Sequence, residues 1–131
     1  MSDYSELIKS IKFNEDGLIP AVAQDVDTGE VVMVAYMNDE SLKKTIKEKK
    51  ACYFSRSRQK LWTKGEHSGS TQEVKKILID CDLDTILLKI KQSGGACHLG
   101  YYSCFFREIN DNGELEIIAE KVLDKKETYK A

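Results

Sequence analysis

The sequence predicts an α+β fold, a sheet-dominated single domain with a few short helices, and three observations lead there. Seven short runs of apolar, β-branched and aromatic residues are separated by turn sequences or polar segments, a pattern of strands. Apolar residues recur at helical spacing in two internal stretches, 5–11 and 40–50. The 131 residues hold no internal repeat, low-complexity segment or linker, so one domain over residues 1–131 is expected, large enough to bury a core without disulfide staples.

In residues 5–11, Leu7, Ile8 and Ile11 share one helix face, with Ser5 or Asp3 as the cap. Residues 18–23 and 30–36 read as buried strands joined through Asp27-Thr28-Gly29, a hairpin-type turn. Pro20, the only proline, fits an edge strand or a strand start. Asn38 or Asp39 caps the helix over 40–50, whose Leu42 and Ile46 form one apolar stripe among lysines that read as a solvated face. Residues 51–55 are a strand by composition, and the polar run 56–70 then interrupts all periodicity. An unstructured stretch of that length inside a compact domain is either mobile or functional. Residues 71–79 and 85–92 are strands flanking an acidic segment, Ser93-Gly94-Gly95 is a loop, and 101–109 is a further strand. Asp111-Asn112-Gly113 turns the chain into 115–119, and 121–131 reads as a lysine-rich helix or a frayed tail.

A net charge of -2 with 32% charged residues argues against a general nucleic-acid binder. No apolar run approaches a membrane span and Met1-Ser2-Asp3-Tyr4 begins no signal peptide, so a cytoplasmic protein without disulfides is expected. Cys81, Cys97 and Cys104, set among glycines, acids and a histidine, then point to metal binding or catalysis, whereas Cys52, before Tyr53-Phe54, reads as a core residue.

The segment Asp80-Cys81-Asp82-Leu83-Asp84 packs three carboxylates and a thiol into five residues. If it is extended, Asp80, Asp82 and Asp84 share one face, suited to Mg²⁺, while Cys81 faces the other way and joins Cys97 and Cys104 on Zn²⁺. If residues 82–84 turn a hairpin, the alternation ends at Asp82. The cysteine spacing is not that of a zinc finger; three thiolates leave a fourth position for water and argue for catalytic zinc. Bound water then falls toward a pKa of about 7, an effect that three thiolates blunt because they donate more charge than three histidines. His98 is the candidate base or proton relay; otherwise it is structural or the fourth zinc ligand. In the polar run, arginines, lysines, hydroxyls and glycines suit a phosphate cradle, and Trp62 either stacks on a base or fills the core.

From residue 17 to residue 107 the chain resembles the phosphoribosyl-AMP cyclohydrolase family of histidine biosynthesis. The marks are Gln24-Asp25 with Thr28-Gly29-Glu30-Val31, Ala35-Tyr36-Met37-Asn38, Ser55-Arg56-Ser57-Arg58 with Leu61-Trp62, and Lys64-Gly65-Glu66 with Ser68-Gly69. Asp80-Cys81-Asp82-Leu83-Asp84 and Gly95-Ala96-Cys97-His98 with Ser103-Cys104-Phe105 complete them. The resemblance implies a hydrolase that opens the adenine ring of 1-(5-phosphoribosyl)-AMP, with water adding at C6 and the bond to N1 breaking. It implies zinc ligands at Cys81, Cys97 and Cys104, one zinc per subunit, and magnesium ligands at Asp80, Asp82 and Asp84. It also implies a homodimer, intertwined so that zinc is bound across the interface. Two substrate phosphates make Arg56, Arg58 and Lys64 their partners, and Trp62, Gly65, Glu66 and Ser68 complete the expected substrate contacts. His67, Ser70 and Leu99 depart from the family pattern and touch no ligand position.

Two other classes compete. A zinc-dependent nucleobase or nucleoside deaminase lacks here its His-x-Glu and Pro-Cys-x-x-Cys pattern. A zinc-stabilised nucleic-acid module is opposed by the net charge and by the absence of CxxC knuckles.

Overall fold

The structure is a computed structural model that describes residues 4–122. Its main sheet is built from β1 (Ile19–Asp25), β2 (Val31–Met37), β5 (Gln72–Ile79) and β6 (Ile86–Gln92), in the order β2-β1-β6-β5. β1 runs antiparallel to β2 and parallel to β6, and β5–β6 is an antiparallel hairpin. Helix α1 (Ser5–Ser10) precedes the sheet and α2 (Asp39–Glu48) follows β2. β3 (Cys52–Ser55) and β4 (Lys60–Thr63) form a separate hairpin outside the main sheet, and β7 (Arg107–Ile109) and β8 (Leu115–Ile117) form another.

Alternation along β1 buries Ile19, Ala21, Ala23 and Asp25 on one face, and Ile86, Leu88 and Ile90 of β6 lie beside them. Leu42 of α2 and Tyr53 of β3 close the core over that face, with Ile8, Ile46 and Trp62 packed at its margin. Buried polar groups are paired: the Tyr53 hydroxyl donates to Gln72 Oε1 at 2.6 Å, and Gln72 Nε2 to Gln92 Oε1 at 2.8 Å. Cys52 is a core residue as expected, its backbone N–H and C=O both held by the Thr45 hydroxyl.

Several expectations are corrected. The polar run conceals β4, whose Leu61 and Trp62 pair with Phe54 and Tyr53; two apolar residues between lysines and threonine leave too short a period to register. Residues 101–106 are not a strand. Tyr101 stacks on Phe106 with ring centroids 3.7 Å apart, and the chain turns between them, so regular pairing begins only at Arg107. Pro20 lies near the start of β1, which is an inner strand; pairing with β6 begins one residue later at Ala21, so no ladder bond is lost there. Helix α1 begins after Tyr4 with no side-chain cap, and Asp3 lies outside the described residues, as does the expected tail from residue 123 onward.

Asn38 caps α2 as expected. Its side chain accepts from the Ser41 N–H at 2.8 Å while the Ser41 hydroxyl accepts from the Asn38 N–H at 2.9 Å, a reciprocal capping box. Asn38→Ala should lower unfolding free energy by about 1 kcal/mol, measured by urea denaturation; an unchanged midpoint would show that the cap carries no weight.

Candidate functional site

The chemistry-bearing residues collect at the two ends of the main sheet. Because β6 runs parallel to β1, its last residue lies at the end where β1 stops and β2 begins. The loop after β6 crosses that end from β6 over β1 to β2. It closes a tight turn in which Ala96 N–H donates to Tyr102 O, Cys97 N–H to Tyr101 O and Gly100 N–H to Cys97 O. Gly95 must be glycine here, since a Cβ would stand 2.6 Å from the Tyr101 carbonyl oxygen. The far side of the loop is tied to β2: Cys104 N–H donates to Val32 O at 2.7 Å and the Ser103 hydroxyl to Val31 O at 2.9 Å.

A buried carboxylate anchors the middle. Asp25 Oδ2 accepts from the Tyr102 hydroxyl at 2.5 Å, Asp25 Oδ1 accepts from Asp27 N–H at 3.0 Å, and Thr28 Oγ1 is 2.7 Å from the tyrosine oxygen. Desolvation and then the Asp25 bond raise the tyrosine pKa to about 12, so the hydroxyl stays a donor. Sequence reasoning gave Asp25 and Tyr102 no role in the site. The available signal was the register of β1, in which an acidic residue continues the buried face of Ile19, Ala21 and Ala23 and demands a partner.

The turn brings Cys97 and Cys104 together. Cys97 is buried, and the backbone N–H of Leu99 points at its sulfur from 3.4 Å. The Cys104 thiol is pushed up to about 11, first by desolvation and then by the charge of Cys97, with the Lys64 ammonium acting in the opposite sense. Two thiols that resist joint ionisation without a cation suit a divalent soft metal, which removes that repulsion.

Beside the pair lies a cavity of about 810 Å³ along the β3–β4 hairpin and the loop after it. Of the expected substrate-contact residues it is lined by Arg58, Trp62, Lys64, Gly65, Glu66 and Ser68, together with the exposed His98. Ser55, Ser57, Lys60, Thr63 and His67 also line it. Trp62 packs at the core margin as one reading expected, tilted 42° against Tyr53 at 5.1 Å, and it also lines the cavity. Gly65, at φ +87°, brings its backbone so close to Ser70 and Thr71 that a Cβ would sit 2.6 Å from Thr71 N. Arg56 is placed apart: its guanidinium lies 4.2 Å from the Tyr36 ring centroid and faces a separate cavity of about 340 Å³ with Asn38 and Gln59.

The acidic segment is at the other end of the sheet, in the β5–β6 hairpin, and it is a turn. Leu83 adopts φ 63°, its N–H donating to Asp80 O at 3.0 Å and its carbonyl accepting from Lys12 N–H at 2.8 Å. The strand alternation that would set Cys81 opposite the carboxylates is therefore absent, and the Cys81 thiol lies 3.6 Å from Asp82 Oδ1. Asp80, Asp82 and Asp84 still converge, with ligand oxygens all within 4.8 Å of one another. Asp84 N–H donates to Asp80 Oδ1 and holds that carboxyl low, while the hydrogen bond with Asp80 raises Asp84. Cys81, Cys97 and Cys104 form no such group among the described residues. The reason is topological: β6 separates them, and its seven residues span roughly 20 Å at ~3.3 Å each.

The family model for phosphoribosyl-AMP cyclohydrolase matches residues 33–106. The chain is 59% identical over 125 residues to the phosphoribosyl-AMP cyclohydrolase of Chloroherpeton thalassium, covering 95% of this chain and 89% of that one. It is 57% identical over 122 residues to that of Chlorobium limicola, covering 93% and 89%. With that of Chlorobium phaeobacteroides the identity is 53% over 133 residues, covering 98% and 97%.

Tyr102→Phe should cost about 1–3 kcal/mol, because the buried Asp25 carboxylate loses its short donor. Denaturant titration checks this, and wild-type stability in the variant would show that the latch does not anchor the loop.

Proposed function

The chain belongs to the phosphoribosyl-AMP cyclohydrolase family and carries that activity in histidine biosynthesis; from this premise we propose how its residues divide the work. The observation that carries the reading is the Cys97–Cys104 pair set beside a basic cavity with His98 at its wall. The substrate is 1-(5-phosphoribosyl)-AMP. Arg58 takes a phosphate, Trp62 offers a face to the adenine, and the Gly65–Ser68 backbone and hydroxyls bound the pocket. Arg56, off the cavity wall, contributes only if the substrate reaches its separate recess. Water adds at C6 and the C6–N1 bond breaks. His98 accepts the proton released by the water and returns one to the departing N1.

Zn²⁺ held by Cys81, Cys97 and Cys104, one per subunit, would supply a water of lowered pKa at this place. Mg²⁺ held by Asp80, Asp82 and Asp84 would offset their mutual repulsion and supply positive charge for a substrate phosphate. Since Cys81 stands at the far end of β6 from the other two cysteines, we place it in the site of a second copy, so that a homodimer completes each zinc site. Exposed apolar surface supports such an assembly. Ile109, Leu115 and Ile117 of the β7–β8 hairpin are each more than 60% exposed, and an isolated two-stranded hairpin has little stability of its own. No described helix is long and apolar enough to cross a membrane, and a cytoplasmic location is part of this proposal.

Refolding Cys81→Ala and Cys97→Ala chains together tests the shared site. Random pairing makes half the dimers mixed, each with one whole site, so about a quarter of all sites should regain zinc and turnover, followed by the absorbance change of ring opening. A mixture as inactive as its parents would sink the shared-site reading. Separately, Asp80→Asn, Asp82→Asn and Asp84→Asn should keep full zinc by elemental analysis and require much more Mg²⁺ for turnover, since amides lack the charge that draws a hard cation. Zinc loss as deep as in the cysteine variants would merge the two metal sites into one.

A further inference from the structure

Lys64 sits where two regions meet, on the wall of the large cavity and against the cysteine turn. A lysine that held substrate phosphate would turn its ammonium toward the cavity. Here Nζ instead donates to the backbone carbonyl of Ala96 at 2.7 Å, one residue before Cys97. Its backbone is anchored as well: Lys64 N–H donates to Ala51 O at 2.9 Å, extending the β3–β4 pairing, and Gly65 behind it lies so close to Thr71 that a Cβ would stand 2.6 Å from Thr71 N. The ammonium is thus aimed by rigid backbone at both ends. The indole of Trp62 lies 6.0 Å from it on the cavity side.

We propose that Lys64 is a positioning residue of the cysteine site rather than a phosphate ligand: it fixes the Ala96–Cys97 peptide and brings an ammonium beside the Cys97 and Cys104 thiols. The proposal rests on the three-cysteine reading given above. Its physical sense is charge balance. A divalent ion with three thiolates carries a net charge of about −1, and a neighbouring ammonium cancels it. Cancellation opposes the electron donation by which three thiolates blunt the acidity of a bound water. Bonded at 2.7 Å to the carbonyl that immediately precedes Cys97, the ammonium stands beside the cysteine turn. With Lys64 spent in this way, Arg58 and Lys60 are the arginine and lysine left to the substrate phosphates along the same cavity.

The test is chelator competition for zinc in the intact dimeric enzyme, run on Lys64→Met, Lys64→Arg and Cys97→Ser beside the unaltered protein. Lys64→Met should bind zinc about 10- to 100-fold more weakly, as losses of groups that orient metal ligands do. Lys64→Arg, which keeps the charge, should recover the larger part. In zinc-saturated protein, Lys64→Met should lower kcat and leave KM for phosphoribosyl-AMP within about twofold, because only ground-state phosphate binding raises KM alone. Unchanged zinc affinity with a raised KM makes Lys64 a phosphate ligand and overturns the proposal. Weak zinc binding that arginine does not recover, in a protein whose metal-free form is also destabilised, shows a purely structural lysine and overturns it too. Full zinc in Cys97→Ser would instead remove the three-cysteine reading itself, an outcome distinguishable from the other two.

Discussion

Every functional placement in this chain descends from the parallel pairing of β1 with β6, which sets Ala21 beside Ile86 and Asp25 beside Ile90. A parallel neighbour must start where its partner starts and end where it ends, so the segment entering β6 and the segment leaving it are held at opposite ends of the sheet. The entering segment is the Asp80–Asp84 hairpin. The leaving segment is the cysteine turn, and it can reach β2 only by passing over the end of β1. Asp25 lies there, and its carboxylate, buried by the register of β1, is satisfied by the Tyr102 hydroxyl of that same turn. The latch and the separation of the thiols are thus two consequences of one pairing.

Much of the fold was legible because local chemistry and burial agreed. Asn38 and Ser41 specify a helix start whatever surrounds them, and Asp27-Thr28-Gly29 supplies the positive φ that a hairpin turn needs at Gly29. Where tertiary contacts decide, the sequence misleads. Tyr101, Tyr102, Phe105 and Phe106 have strand composition, yet Tyr101 is bent back onto Phe106 by the turn that pairs Ala96 with Tyr102. The acidic segment fails for a related reason: alternation presumes extension, and Leu83 takes a left-handed conformation that no residue type announced. The identities of Cys81, Cys97 and Cys104 were legible as ligand chemistry, but their spacing of sixteen and seven residues says nothing of the direction in which β6 runs between the first two.

Electrostatics gives each sheet end its own character. At one end three carboxylates crowd within a solvent-exposed hairpin, where water and salt moderate their repulsion and a hydrated hard cation fits without desolvation. At the other, the buried Cys97, the exposed Cys104 and the half-buried Lys64 gather around one turn, where opposite charges are less screened than in open water. The cysteine turn is the more heavily braced of the two ends, held by Gly95, Ser103 and the Asp25–Tyr102 latch, and the acidic hairpin is a turn tethered chiefly through Lys12 and Asp80.

If a second copy supplies Cys81, metal binding and assembly become one equilibrium. A single chain then offers zinc two thiolates and holds it weakly, whereas the dimer offers three, so zinc binds the assembled form preferentially and stabilises it by mass action. The exposed apolar side chains of β7 and β8 would then give the association a driving force independent of the metal, and the separation along β6 would keep a lone chain from closing its own site. In such an assembly an acidic hairpin would stand beside each cysteine turn. The second copy's carboxylates would enter with its Cys81 thiol, which lies 3.6 Å from Asp82 within each chain, and both proposed metal sites would then reach one substrate.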